Sequence, residues 1–292
     1  MLVRFPVAAS IVLLGVLCGG ATPVGLAASS PPYYLAIGDS LSVGIQPDSS
    51  GTEVATNQGY VDDIYAINRL NMPELRLAKL GCSGETTTTM INGGICPYSL
   101  GSQLAQAVEF VRTHRVVLVT IDIGADNLDS CNIGSTGINI TCVTQGLQTV
   151  AAELPIIVAT LQQAIDPSTS IVAGNYYDPY LALWVLGPAG QALAVETEKL
   201  TASLNSTLDA VYDSLRVPVA DVQSAFEMTS FHPVSPSGLP LNVLLACEWT
   251  WMCAPAPVGP NEHANAAGYS VIATAFLKKL AGDEPTPGDS TR

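Results

Sequence analysis

Charge is scarce in this chain of 292 residues. Asp, Glu, Lys and Arg together make up 12%, about half the ~25% usual for a soluble domain. Basic residues are the scarcest, 11 Lys+Arg against 25 Asp+Glu, for a formal net charge of −14. That balance excludes a duplex-DNA or RNA binder, which needs a Lys/Arg stripe to displace counterions. Histidine is limited to three residues and no C-x-x-C pair occurs. The chain therefore lacks a zinc-ligand spacing, and neither a metal nor another cofactor is expected. Hydrophobic residues reach 48%, so few charges could mean a membrane protein, but only one apolar run stands apart, at the N-terminus.

Residues 1–28 read as a signal peptide. Arg4 supplies a minimal basic start, Val7 to Cys18 an apolar core, and Gly25, Ala27 and Ala28 small cleavage positions. Gly15, Gly19, Gly20 and Pro23 interrupt a run already shorter than the ~20 residues of a membrane span. No later stretch looks long and apolar enough to span, so the expectation is a secreted, extracellular protein without stable membrane insertion. Cys18 leaves with the leader, and six of the 7 cysteines remain. An even number outside the cytosol favours disulfides. Six cysteines allow 15 pairings, but these fall in three close couples, which predicts Cys82–Cys96, Cys131–Cys142 and Cys247–Cys253.

Short β-branched runs alternate with helical periodicity. Strands are expected at Tyr33–Ile37, Val116–Ile123, Ser170–Asn175 and Val217–Val222, and helices at Gly101–Thr113, Thr144–Ile165, Ala189–Leu215 and Asn265–Leu280. Such alternation, with near-continuous apolar strands, predicts an α/β protein with a mainly parallel sheet covered on both faces. One domain over residues 29–281 follows, with a polar, Pro- and Gly-bearing tail at 282–292 expected to be disordered. In such folds chemistry gathers at the carboxyl ends of the strands.

Four segments carry candidate chemistry. Ser40, in Gly38-Asp39-Ser40, follows the first strand, where a hydroxyl and a backbone N–H can both face a substrate; taken alone such a triplet is more often an ordinary helix cap. Gly81-Cys82-Ser83-Gly84 is a glycine-flanked loop whose backbone can come close to a ligand. Gly124-Ala125-Asp126-Asn127 follows the second strand and offers an Asn amide or an Asx turn. Of the three histidines, His114 lies at the wrong end of a strand and His232 has no helix after it. His263, just before the last helix, is the best placed base for a serine nucleophile.

Together and in this order, GDSLSVG, CSGETT, GADN and the stretch around His263 resemble the SGNH/GDSL hydrolases, and the six cysteines with the run Tyr176 to Trp184 look like that family's secreted bacterial esterase/lipase branch. The resemblance implies a three-layer α/β/α sandwich (SGNH hydrolase-like, flavodoxin-like), with Ser40 as nucleophile and His263 as base. It also implies an oxyanion hole from Ser40, Gly84 and an Asn. Two departures stand out. The family's third block reads Gly-x-Asn-Asp, so strict alignment puts Asp126 at the donor position; a small local shift is expected to bring Asn127 there instead. The family's acid three residues before the histidine is replaced by Pro260, whose carbonyl is expected to orient His263, with Glu262 as the alternative.

The activity implied is hydrolysis of carboxylic esters, with short- to medium-chain acyl or lipid substrates, through a Ser–His acyl-enzyme. Carbohydrate deacetylation is the enzymatic alternative, and a non-catalytic secreted binding module on the same fold the alternative from another class. A monomer is expected. Leu181, Leu183, Trp184, Trp249, Trp251 and Met252 either line an acyl groove or pack in core and disulfide loops.

Overall fold

The computed structural model describes residues 30–133 and 137–282. The expected leader lies outside the described residues, as does the expected tail apart from Gly282. In chain order the strands are β1 (Tyr33–Gly38), β2 (Ile45–Pro47), β3 (Glu53–Ala55), β4 (Arg76–Lys79), β5 (Val116–Asp122), β6 (Ser170–Gly174) and β7 (Val219–Ala220). The helices are α1 (Ser40–Val43), α2 (Tyr60–Asn71), α3 (Thr87–Asn92), α4 (Gln103–Thr113), α5 (Ile140–Ala164), α6 (Pro188–Ser214), α7 (Val222–Ala225), α8 (Leu241–Trp249) and α9 (Ala266–Leu280). Two 3-10 segments, Ala125–Cys131 and Pro179–Leu186, follow β5 and β6.

The central sheet runs β4-β1-β5-β6-β7, with every neighbouring pair parallel. Counting only its strands, the order is 2-1-3-4-5, the flavodoxin-like winding. Helices α2 and α9 pack together, while α3, α4 and α6 gather around α5. Tyr34, Leu35, Ala36 and Ile37 of β1 are all fully buried. Their unbroken apolar run reflects a strand covered on both faces. The expected strands and long helices are present, whereas β4 and the β2–β3 hairpin went unread. β4 (RLAK) is half charged and flanks the sheet, and the two hairpin strands have only three residues each.

One expectation needs correction. Helix α5, 25 residues with mean hydropathy 1.3 over its most apolar stretch, is long and apolar enough to cross a membrane. Its polar residues are uncharged Gln and Thr apart from Glu153, so it shows no charged face in sequence. In the fold, Val143, Val150, Leu154, Ile157, Val158 and Leu161 make a buried stripe, the i, i+3/i+4, i+7 pattern of a core helix.

The three expected disulfides are formed, Cys82–Cys96, Cys131–Cys142 and Cys247–Cys253. Each closes one loop, and the first ties down the segment after β4.

β1 and β5 meet at their carboxyl ends with Gly38 opposite Asp122. Gly38 has φ +141°, and a Cβ there would lie 2.0 Å from the Asp122 carbonyl oxygen. Its amide donates to Gln103 Oε1 (2.6 Å), and Gln103 Nε2 donates back to its carbonyl (2.9 Å). Gly38→Ala is expected to cost about 3 kcal/mol or more of stability through strain and overlap. Denaturant unfolding of the variant checks this.

Candidate active site

A cavity of about 110 Å³ opens at the carboxyl ends of β1 and β5, where the crossovers on the two sides of the sheet diverge and ligands of such folds bind. Ser40 and Leu41 of α1, Asp126 and Leu128 of the first 3-10 segment, Tyr176 and Tyr177 after β6, and His263 line it. The fold thus brings Ser40 and His263, from opposite ends of the chain, to one cavity. Among the described hydrogen bonds none joins them; such contacts tighten when substrate is in place.

The turn that bears Ser40 is fastened on every side. Asp39 caps α1, its Oδ1 accepting from the Leu41 amide (2.9 Å), and the Asp39 amide donates to the Asp122 carbonyl (3.1 Å). Asp122 Oδ2 accepts from the Ser42 amide (3.2 Å), and Ser42 Oγ donates to the Asp39 carbonyl (2.8 Å). Gly44, with φ 78°, closes the single turn. The amides of residues 39, 41 and 42 are therefore used, and among the described hydrogen bonds none takes the Ser40 amide.

Two buried carboxyls lie under this turn. Asp39 Oδ2 accepts from the Tyr176 hydroxyl (2.5 Å), and Asp122 accepts from the Tyr60 hydroxyl. Burial pushes both acids above the ordinary carboxylate range, Asp122 further because of the neighbouring Asp39. Each of the two buried carboxyls disfavours the ionisation of the other.

His263 is buried, 5% exposed. Its Nδ1 lies 3.0 Å from Asn261 Oδ1, which also accepts from the His263 amide (3.0 Å). Asn261 Nδ2 donates to Glu53 Oε1 (2.7 Å) on β3, and that oxygen is 3.4 Å from Nδ1. The carboxylate fixes which end of the Asn amide accepts, so Nδ1 carries the proton and Nε2 keeps its lone pair. Burial lowers the His263 pKa from 6.5, with Glu53 and Asp129 acting against it. This corrects the expected orienting groups. The imidazole is held by Asn261 with Glu53 behind it, instead of by the Pro260 carbonyl or Glu262, because an Asx turn folds the Asn261 side chain back onto the ring. The Glu262 carbonyl serves the Tyr177 hydroxyl (2.9 Å).

Glu53, Glu262 and His263 each offer an oxygen or nitrogen within 4.8 Å of the others, the one such group among the described residues. Asn261 already occupies two of the three, so they serve the histidine.

The expected oxyanion residues are placed unequally. Gly84 is not itself among the lining residues; it sits in a turn with φ +79° and open space on its Cβ side, and the Cys82 amide, two residues before it, donates to the Gly38 carbonyl (3.1 Å). The loop thus abuts the end of β1. Asn127 does not move toward the cavity. Its Oδ1 accepts from the Thr87 amide (3.0 Å) and its Nδ2 donates to Thr87 Oγ1 (2.9 Å), which fastens the start of α3. The local shift expected from sequence is absent, and Asp126 is the residue on the cavity wall.

None of Leu181, Leu183, Trp184, Trp249, Trp251 and Met252 lines the cavity. Leu181 is core, Trp184 packs on Phe231, Trp249 on Phe226, and Trp251 Nε1 donates to Gln46 Oε1 (3.3 Å). The apolar wall comes from Leu128, Leu200 and Leu204 with Tyr176 and Tyr177. The tyrosines were findable from the strand-end rule, since they directly follow β6. Leu200 and Leu204 sit one turn apart on α6, and Glu53 arrives from a distant hairpin with no local signal.

The winding, with GDS at the end of β1 and a base before the last helix, is that of an SGNH-type α/β hydrolase. The chain belongs to the GDSL-like lipase/acylhydrolase family, whose profile matches residues 36–271, and so is a carboxylic ester hydrolase. Among solved structures it resembles the extracellular lipase of Streptomyces rimosus (TM-score 0.53, 20% identity, 84% of this chain and 99% of that one). It also resembles phospholipase A1 of Streptomyces albidoflavus (TM-score 0.53, 21% identity, 86% and 99%). A sequence comparison with curated proteins gives no match.

The loop bearing the cavity tyrosines is set by Asp178, whose Oδ1 accepts from the Tyr180 amide (2.8 Å) at the start of the second 3-10 segment. Asp178 is buried, and burial pushes its pKa from 3.8 up to about 7. Its folded-state pKa is the higher one, so its contribution is fully present below pH 3.8 and lost as pH rises through 7. Stability is expected to fall by up to about 4 kcal/mol over that range. Asp178→Asn should flatten the slope, as read by denaturant unfolding at a series of pH values.

Proposed function

We propose that the chain is a secreted serine esterase that hydrolyses short-chain acyl esters, including those of lipids, through an acyl-enzyme. The observation that carries this reading is Ser40 and His263 on one strand-end cavity, with Nδ1 engaged by Asn261 and Nε2 left with its lone pair. His263 Nε2 takes the Ser40 proton as Oγ bonds to the ester carbonyl carbon. The carbonyl electron pair moves onto oxygen, facing the Ser40 and Gly84 amides. The tetrahedral centre then expels the alcohol, which takes the proton from His263. Water, deprotonated by the same nitrogen, attacks the acyl-serine, and Ser40 leaves with the proton as the acid is released.

Size favours short acyl groups. An apolar cavity of ~150 Å³ holds a benzene ring, and this one is about 110 Å³. Secretion is supported by the leader-like residues 1–28 and the three disulfides, together with the likeness to an extracellular lipase.

Ser40→Ala is expected to lower turnover of p-nitrophenyl butyrate by at least about 10⁴-fold and to abolish fluorophosphonate labelling, while the fold is kept. Retained activity would overturn the assignment. In an acyl series, kcat/KM should fall beyond butyrate, and a decanoate preference would contradict the cavity size. Neutral His263 is the working base, so activity is lost as pH drops through its pKa, below 6.5. Glu53→Gln removes a charge that favours the imidazolium, and the acid limb of the kcat/KM profile should move to lower pH.

A further inference from the structure

Four acids line the cavity, Asp39, Asp126, Asp129 and Glu262, and of these Asp126 alone has a buried side-chain oxygen without a partner among the described residues. It follows Gly124 and Ala125 at the end of β5, next to the end of β1 that carries Ser40. Its Oδ2 is closed off from solvent with no hydrogen-bond partner. The groups that act on it from every side are acids or neutral hydroxyls. Asp39 comes from the nucleophile turn, Asp129 from its own 3-10 segment and Glu262 from the histidine loop. Tyr176 and Tyr180 face it from the loop after β6. His263 shares the cavity, and no Lys or Arg lines it.

An ionised carboxylate in such a place would have a buried oxygen without a donor and three acids around it, which is costly. A neutral carboxylic acid removes that charge and gains an O–H, for which the Asp129 carboxylate, within side-chain hydrogen-bond reach, competes until a substrate oxygen enters the cavity. Asn127, the nearby amide, is spent on Thr87.

We propose that Asp126 is the third oxyanion donor of this site, a carboxylic acid whose O–H hydrogen-bonds to the ester carbonyl oxygen as negative charge develops there. The proposal rests on the Ser40–His263 reading given above. No proton is transferred at this step: the carbonyl electron pair moves to oxygen as Ser40 Oγ bonds to carbon, and the Asp126 hydrogen bond strengthens against the new charge. When the oxyanion collapses and the alcohol leaves, Asp126 still holds its proton. Burial and the surrounding acids push its pKa from 3.8 up to about 10, which keeps the donor form through neutral pH. A carboxylic acid held neutral in an apolar site serves the same end in ketosteroid isomerase.

The test is the pH dependence of p-nitrophenyl acetate hydrolysis by the full chain, wild type, Asp126→Ala and Asp126→Asn, after subtraction of the uncatalysed rate. Wild type should show a basic limb near pH 10 as the donor is lost. Asp126→Ala should lose about 10²–10³ in kcat with KM little changed. Asp126→Asn, which keeps an N–H donor that does not titrate, should recover at least about 30-fold of the Asp126→Ala loss and lack the basic limb. Circular dichroism and melting temperature establish that each variant folds. The proposal falls if Asp126→Ala stays within threefold of wild type, or if Asp126→Asn is no better than Asp126→Ala or keeps the basic limb. Should both variants misfold, the wild-type profile decides, since a flat profile to pH 11 overturns the proposal. Ser40→Ala separates the two levels. If it is active, the parent reading fails; if it is dead while Asp126→Ala is fully active, only the role of Asp126 fails.

Discussion

The carboxyl end of β5 carries the constraint on which the site depends. Asp122 presents its carbonyl so close to Gly38 that no side chain fits there, and that carbonyl accepts the Asp39 amide. Its carboxyl reaches under the turn to the Ser42 amide and the Tyr60 hydroxyl. One residue thus sets the spacing of the two central strands, the path of the nucleophile turn and the attachment of α2. Such a buried acid is tolerable because hydroxyl and amide donors surround it and burial beside Asp39 pushes it toward its neutral form. Losing any of these donors would leave a carboxyl in the core with nothing to satisfy it.

Much of this architecture is legible in the sequence because its signals are local. The apolar runs of β1, β5 and β6 and the periodicity of α4, α5, α6 and α9 are properties of contiguous residues, and the structure has all of them. The three cysteine couples were readable for the same reason, each closing a short loop. The positions of Ser40 and His263 followed from the strand-end rule together with the scarcity of histidine.

What escaped depends on groups brought together from afar. Glu53 stands behind His263 only because the β2–β3 hairpin folds over the loop before α9, and nothing around Glu53 announces it. Asn261 lies two residues before the histidine, where an amide side chain carries no pattern that marks it as an orienting group, whereas the family's acid sits three residues back, at the position of Pro260. Asn127 and Asp126 were adjacent candidates, and the choice between them turned on Thr87, a residue with no chemical signature, whose amide and hydroxyl capture the Asn127 side chain. Of the two readings open for the tryptophans and their neighbours, the packing one holds. Tryptophans draw the eye, but here they brace loops, while two leucines of α6 line the cavity.

The Tyr269 hydroxyl of α9 donates to the Ile45 carbonyl (2.9 Å), next to the end of the nucleophile turn. This bond joins the first and last parts of the chain beside the cavity that Ser40 and His263 share. Neither residue is equipped to act alone: a serine without a base is an alcohol, and a histidine without its partner is a buried imidazole. On the reading proposed above, a chain that ends before the loop preceding α9 has Ser40 without the base that would activate it.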